Sequence, residues 1–165
     1  MPSTNFHLTT DWSFSSPREA VWQALSTPEE WPSWWRAVKK VERIADGDEN
    51  GVGAVRRMTW STMIWRTALP YTLAFDMRTT RIEPMTRIEA QAEGELSGIG
   101  RWAIWPDGRR TRVRYEWIVE VKEPRMRLLT PLLRPVFVWN HNTVMGWGFK
   151  GLVAKLAAPQ PARKI

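Results

Sequence analysis

Acid–base and metal chemistry have few possible sites in this chain. It contains no cysteine, which excludes thiolate catalysis, structural disulfides and every zinc motif built on cysteine. Its two histidines, His7 and His141, make a poor metal site on their own, so neither a metal nor another cofactor is expected. A general base needs a partner and a substrate proton within reach, and the sequence shows neither for His141. His141 is the candidate if a reaction is catalysed, but we favour a half-buried histidine that binds a backbone carbonyl.

Asn140 interrupts an apolar pattern in the C-terminal part of the chain. It shares a helical face with Val136, Phe137 and Val144, where an apolar side chain would be expected. A buried amide needs hydrogen-bond partners. The partner of Asn140 is either a ligand at a cavity wall or the backbone of a strand, and we favour the strand backbone.

The charge of the chain raises the question of nucleic acid. The formal net charge is +7, with 18 arginines and 6 lysines, and the densest cluster is Arg109, Arg110, Arg112 and Arg114. A positive net charge attracts phosphates, but it provides no element that recognises a nucleic-acid sequence. Nucleic-acid binding is therefore a third hypothesis, and the sequence disfavours it.

Tryptophan is unusually frequent, with 12 residues in 165. Its large amphipathic side chain concentrates in cores, pockets and interfaces, and 12 are more than a compact core of this size usually needs. The surplus favours a lined cavity. Aromatic residues on inferred inward faces are either plain core or cavity lining, and these are Trp60, Tyr71, Trp102, Tyr115 and Trp117.

The N-terminal part is predicted to be one strand followed by two short helices. Apolar residues alternate with polar ones from Phe6 to Phe14, which indicates a strand with one buried face. Ser16 before Pro17 and Thr27 before Pro28 are typical helix starts, a hydroxyl cap followed by proline. Pro32 is predicted to end the second helix.

The central part is predicted to contain six strands. Small residues on the inward face of one of them, Ala90, Ala92 and Gly94, would leave room above the sheet. A turn at Pro106-Asp107-Gly108 joins the last two strands. The six strands are Val38–Ala45, Ala54–Thr62, Tyr71–Glu83, Arg87–Glu95, Arg101–Trp105 and Thr111–Val121.

A long C-terminal helix completes the pattern. Thr130 and Pro131 have the composition of a helix start, and apolar residues continue at helical spacing to Leu156, with a kink expected at Pro135. Such a helix would be about 39 Å long, enough to cross the sheet. The fold class is therefore α+β, with a curved antiparallel sheet of about seven strands wrapped around a long C-terminal helix.

This order of elements is that of the helix-grip fold, and several short segments resemble one superfamily with that fold. The chain resembles the SRPBCC superfamily of START-related and birch-pollen-allergen-like proteins, and within it the polyketide cyclase/dehydrase-like group. The resemblance runs from residue 12 to about residue 156. The matching segments are Trp12-Ser13-Phe14 with Pro17 and Val21-Trp22, Trp31-Pro32-Ser33-Trp34-Trp35, Gly51-Val52-Gly53, Pro70-Tyr71, Gly94-Glu95-Leu96 with Gly98, Gly100 and Trp102, and Trp139-Asn140-His141.

The resemblance implies a cavity between the sheet and the long helix that holds a lipid, a polyketide or a similar molecule. Some members of the superfamily bind and transport such molecules, and others cyclise or dehydrate them, so the fold alone does not decide between these roles. The alternative to a binding protein is thus a cyclase or dehydratase of polyketide-like substrates acting in the same cavity.

The sequence thus predicts a single ligand-binding domain over residues 1–157, followed by a disordered basic tail over 158–165. It is expected to be cytoplasmic, a monomer or a homodimer, and not an integral membrane protein, with a small hydrophobic molecule as its partner. The predicted ligand-binding residues are Trp60, Tyr71, Leu73, Phe75, Trp102, Tyr115, Trp117, Phe137, Asn140 and Val144.

Overall fold

The predicted order of elements is confirmed in a computed structural model, which describes residues 5–63, 70–94, 97–120 and 124–159. A first strand is followed by two helices that flank a short 3₁₀ turn, then by six strands and a long helix. The elements are β1 (Asn5–Phe14), α1 (Arg18–Ser26), the 3₁₀ turn (Pro28–Glu30), α2 (Trp31–Trp34), β2 (Val38–Ala45), β3 (Val55–Met63), β4 (Pro70–Glu83), β5 (Arg87–Gly94), β6 (Ser97–Asp107), β7 (Arg110–Glu120) and α3 (Pro124–Ala157).

The seven strands form one antiparallel sheet in the order β1-β7-β6-β5-β4-β3-β2. Strands β1 and β2 therefore lie at opposite edges. The register places Thr10 of β1 opposite Tyr115 of β7, and Tyr115 in turn opposite Trp102 of β6. Since side chains alternate between faces along a strand, these residues share the inner face that α3 covers.

The centre of the inner face is built from the smallest side chains. Ala90 of β5 pairs with Gly100 of β6, and Ala92 pairs with Gly98. Larger residues on the neighbouring strands surround this patch, including Tyr115 and the other inner residues of β7. Ala90 and Gly98 are half-buried on this face, whereas Ala92 and Gly100 are buried under their neighbours.

The first two helices begin and end differently from the sequence prediction. Neither hydroxyl caps its helix: the carbonyl oxygen of Ser16 accepts a hydrogen bond from the Thr111 hydroxyl at 2.7 Å, and the Thr27 hydroxyl donates to the Gln23 carbonyl oxygen at 2.9 Å. Pro32 does not end a helix but lies in the first turn of α2, where its missing N–H has no intrahelical acceptor to lose.

Two further boundaries were wrongly predicted. Helix α3 begins at Pro124 and continues through both Pro131 and Pro135. Because proline fits the first turn of a helix, each of the three prolines is a possible start, and the sequence does not distinguish them. Strand β6 begins at Ser97 rather than Arg101, since its two early glycines are weak strand signals. Its hairpin closes at the pair Asp107 and Arg110, so that Pro106 belongs to the strand.

Six tryptophans form one packed cluster between the helices and the sheet. Neighbouring ring centroids lie 5.0–6.5 Å apart, in mostly tilted or edge-on arrangements, which are the geometries that aromatic pairs prefer. Trp35 is at the centre of the cluster and is 1% exposed. Four of the six are buried, and Trp34 and Trp60 are half-buried. The members of this tryptophan cluster are Trp12, Trp31, Trp34, Trp35, Trp60 and Trp102.

The outer face of the sheet carries cross-strand ion pairs. The side chains of Arg112 and Arg114 donate to Asp107 and Asp11 at 2.8 and 2.7 Å. These salt bridges keep the pKa of Asp11 below its usual value, chiefly through the hydrogen bond from Arg114. Much of the arginine cluster noted in the sequence is therefore already paired with carboxylates.

Candidate functional site

The predicted ligand-binding residues on the strands lie along the inner face of the sheet. Trp60 is on β3, Leu73 and Phe75 are on β4, Trp102 is on β6, and Trp117 is on β7 beside Tyr115. The registers align Trp60 with Leu73, and Trp102 with Tyr115. The backbone of Tyr71 belongs to β4, and its side chain lies outside the described residues.

Helix α3 closes this face from above. The Phe137 ring packs against Phe6 of β1 with a centroid separation of 5.4 Å, and Val144 is buried in the core. The His141 ring is stacked over Tyr115, with 6.4 Å between ring centroids and 13° between ring planes. One face of α3 therefore lies across β1 and β7.

His141 forms a hydrogen bond with a side chain on the strand below it. Its Nε2 lies 3.0 Å from the Thr10 hydroxyl oxygen. The partner is thus a threonine hydroxyl rather than the backbone carbonyl expected from the sequence. Burial lowers the pKa of His141 to about 4, because the charged imidazolium would lose water without gaining a counter-ion. The imidazole is therefore neutral at pH 7.

Tyr115 is the residue that connects the other aromatic groups of this site. Its ring centroid lies 4.2 Å from that of Trp102 and 6.4 Å from that of Trp117. Burial raises the pKa of Tyr115 far above its usual value, so the phenol is neutral at physiological pH. Its hydroxyl lies over Gly100, where an added Cβ would be only 2.8 Å from the hydroxyl oxygen. Glycine at position 100 is therefore what allows the phenol to lie flat across β6.

Asn140 leaves a buried acceptor unpaired. Its Oδ1 has no hydrogen-bond partner in the part of the chain that the structure describes, so the favoured interpretation of a bond to the strand backbone is wrong for this atom. Three buried nitrogens also lack a hydrogen-bond partner among the described residues: the indole nitrogens of Trp34 and Trp60, and Nε of Arg101. Native proteins pair nearly all such groups. Of these four atoms, the Asn140 oxygen and the Trp60 nitrogen belong to predicted ligand-binding residues.

Charge is balanced on the inner face. The charged side chains that the registers place there, among the described residues, are Arg43 of β2 and Arg56 of β3. Both donate to the same carboxylate oxygen of Glu29 in the 3₁₀ turn, at 2.8–3.0 Å. These hydrogen bonds from the arginines oppose the effect of burial and lower the pKa of Glu29. A ligand at this site would thus meet neutral polar groups.

Thr10 and Gly100 are site residues that the sequence prediction did not name as ligand-binding. The alternation of β1 places Thr10 on the inward face, and a polar residue in an apolar stripe is the same signal that identified Asn140. Gly100 belongs to a segment that resembles the superfamily, but its importance for the site depends on the neighbouring strand.

An open groove of about 420 Å³ runs between β1 and the second half of α3. Thr10 is part of its wall as well as the partner of His141. In the described part of the chain no three metal-ligating side chains lie close enough together to hold an ion. No described helix combines the length and the hydropathy that crossing a membrane requires.

Comparison with known proteins identifies the family. A family model described as "Polyketide cyclase / dehydrase and lipid transport" matches residues 6–158. No curated protein matches the chain.

Solved structures of low sequence identity share the fold. A START superfamily protein from Mycobacterium smegmatis has 16% identity and a TM-score of 0.71, over 91% of this chain and 96% of that one. Ginseng major latex-like protein 151 from Panax ginseng has 12% identity and a TM-score of 0.70, over 94% and 100% of the two chains. The Zhui aromatase/cyclase from Streptomyces sp. R1128 has 13% identity and a TM-score of 0.66, over 92% and 93%.

These likenesses establish the helix-grip fold of the SRPBCC superfamily, and the family model covers nearly the whole sequence. The chain belongs to the polyketide cyclase/dehydrase and lipid transport family.

Proposed function

We propose that this protein binds a small hydrophobic ligand between the inner face of the sheet and α3. The observation that supports the proposal is the patch of small residues at the centre of the sheet. Ala90 and Ala92 of β5 lie beside Gly100 and Gly98 of β6, and aromatic side chains surround them. Ala90 and Gly98 are only half-buried there, so apolar surface is left for a ligand to cover. Residues 1–157 would then constitute one ligand-binding domain.

The affinity of such a site would come mainly from burial of apolar surface. A ligand that buries about 300 Å² would gain about 7 kcal/mol at 25 cal/mol per Å², before the cost of association is subtracted. Tyr115, Trp102 and Trp117 offer flat aromatic surfaces, and neutral polar groups would set the orientation of the ligand. This combination suits a lipid, polyketide-like or aromatic molecule.

Catalysis in the same cavity is the second candidate function, with His141 as the residue that would move a proton for a cyclase or dehydratase of polyketide-like substrates. Its imidazole is neutral and lies beside the Tyr115 phenol, but the pKa of about 4 makes it a weak base at pH 7. The imidazole is oriented by the Thr10 hydroxyl rather than by a carboxylate. If the protein is an enzyme, His141→Gln should abolish turnover while ligand binding changes only a fewfold. In a binding protein, changes at Asn140, Tyr71 or His141 should each lower the affinity gradually.

The proposed function is tested by native mass spectrometry of the protein as purified from cells. We expect an apolar molecule bound at one per chain, released on denaturation. Ala90→Leu should exclude it by filling the half-buried centre of the sheet, whereas Gln91→Leu, on the exposed face of the same strand, should not. An empty protein that also binds no member of a panel of lipids and polyphenols would contradict the proposal.

Salt-sensitive binding to nucleic acid, with pocket ligands having no effect, would support the nucleic-acid hypothesis instead. The ion pairs of Arg112 and Arg114 on the outer face leave fewer guanidinium groups free for phosphates.

A further inference from the structure

We propose that Asn140 makes the cavity selective for uncharged ligands that carry a hydrogen-bond donor, such as a hydroxylated aromatic ring, over carboxylates. The inference rests on the proposed function and names the ligand class for the same site. It follows from three features of the described residues: an unpaired acceptor, the pairing of both cations on the inner face of the sheet and the aromatic planes near Tyr115.

The first feature is the unpaired oxygen of Asn140. Its Oδ1 is buried and has no partner among the residues that the structure describes. A buried acceptor is costly to leave unpaired, and the cost is recovered when a donor reaches it. An amide oxygen accepts hydrogen bonds and cannot donate them, so the group that completes this site must bring a proton. A hydroxyl does so, whereas an ether, a ketone or a carboxylate does not.

The second feature is the charge balance of the inner face. Arg43 and Arg56 both donate to Glu29, so neither cation is free to receive an anion. His141 is neutral because of its burial, and the Tyr115 phenol is neutral as well. A carboxylate would therefore lose its hydration without a counter-ion and would place an oxygen against the Asn140 oxygen. The inner face of the sheet therefore disfavours free fatty acids and aromatic acids.

The third feature is the arrangement of planar groups below the helix. The Tyr115 ring is nearly parallel to both Trp117 and His141, with interplanar angles of 14° and 13°. Trp102 lies close to the same phenol, at 4.2 Å between ring centroids. Flat rings stack favourably on such surfaces. The unpaired indole N–H of Trp60 offers a further hydrogen bond to a ligand that also carries an acceptor.

Isothermal titration calorimetry with three matched naphthalenes tests the inference at pH 7.5. The probe 2-naphthol carries a donor, 2-methoxynaphthalene has lost it, and 2-naphthoate replaces it with an anion. In the wild type, 2-naphthol should bind about tenfold more tightly than the methyl ether, the ratio that one hydrogen bond of typical net strength supplies. The naphthoate should bind more weakly than either.

Asn140→Leu tests whether that preference depends on the amide. The variant keeps a similar volume, so it should bind the methyl ether at least as tightly as the wild type and should lose the preference for 2-naphthol. Asn50→Leu is the matched control, because Asn50 is exposed in the turn between β2 and β3, and it should retain the wild-type preference.

The possible outcomes separate the inference from the proposed function. Equal binding of 2-naphthol and its methyl ether by the wild type, or an unchanged preference in Asn140→Leu, would overturn the inference while the cavity still binds apolar molecules. Preferred binding of the naphthoate would overturn it too. If none of the three probes binds, the ligand class is wrong, and the mass spectrum of the purified protein decides separately whether the cavity is occupied.

Discussion

The indole N–H of Trp35 donates a hydrogen bond of 2.9 Å to the carbonyl oxygen of Val144, in the middle of α3. Gly148 lies one turn further along the helix and faces the same indole: an added Cβ would be 2.5 Å from its Cε2. Trp35 immediately follows α2 and is almost completely buried. A buried ring thus fixes the height of α3 above the sheet, and with it the depth of the candidate cavity.

Gly148→Ala should lower the free energy of unfolding by about 1–3 kcal/mol, because the new methyl group must displace a buried ring or the helix. Gly146→Ala is the control, since its Cβ would meet nothing within 4 Å. That variant should be more stable than the wild type by about 0.5–1 kcal/mol, the helix propensity that alanine adds. Urea unfolding of both variants is the measurement. Equal effects at the two positions would show that the contact with Trp35 does not hold the helix.

Gly100→Ala should displace the Tyr115 phenol, because its Cβ would lie 2.8 Å from the hydroxyl oxygen. We expect affinity for 2-naphthol to fall by about tenfold, since the aromatic surface moves. The double variant Gly100→Ala/Tyr115→Phe should recover part of that loss, as it removes the atom that clashes. Calorimetric titration of the wild type, both single variants and the double variant gives the coupling between the residues, expected at about 0.5–3 kcal/mol. Purely additive effects would contradict the proposed contact.

His141 should make stability depend on pH between about 6.5 and about 4. Its pKa is lowered on folding, so below pH 6.5 the unfolded chain binds a proton that the folded chain does not. The contribution of His141 to the free energy of unfolding is therefore fully present above pH 6.5. It is lost as the pH falls toward 4, by at most about 3 kcal/mol. His141→Gln should remove this part of the slope, while the carboxylates contribute equally to both proteins. Identical pH profiles for the two, measured by urea unfolding, would show that the imidazole titrates freely when folded.

Glu29→Gln should destabilise the fold by about 1–3 kcal/mol, because the carboxylate connects the 3₁₀ turn to both β2 and β3 through Arg43 and Arg56. Arg56 is largely buried, at 16% side-chain exposure, and would lose its counter-ion. Asp76→Asn breaks the more exposed pair with Arg57 and should cost less than about 1 kcal/mol. Thermal unfolding of both variants shows which loses more stability. A larger loss of stability in Asp76→Asn than in Glu29→Gln would contradict the prediction.

The sheet could be predicted from the sequence because alternation is a local signal. The inward positions of Trp60, Trp102 and Tyr115 follow from counting by twos along their strands, and the registers agree with that count. Helix boundaries were harder to predict. Pro124, Pro131 and Pro135 each fit a first turn, and only packing along the whole of α3 decides between them.

The candidate site could be predicted in part. Asn140 was recognised as a polar residue in an apolar stripe, but whether its oxygen has a partner depends on atoms from distant strands. The bond between His141 and Thr10 joins residues 131 positions apart, and no local pattern reveals it. The same is true of Gly100, which matters because of where the Tyr115 hydroxyl lies.

The tryptophan cluster also has an optical consequence. With neighbouring indole centroids 5.0–6.5 Å apart, excitation transfers from ring to ring much faster than it is emitted as light. Trp60 and Trp102 belong both to this network and to the inner face of the sheet. A quenching molecule beside either of them would therefore reduce the fluorescence of the whole cluster. Occupancy of the proposed cavity could then be followed by intrinsic tryptophan fluorescence, without any added dye.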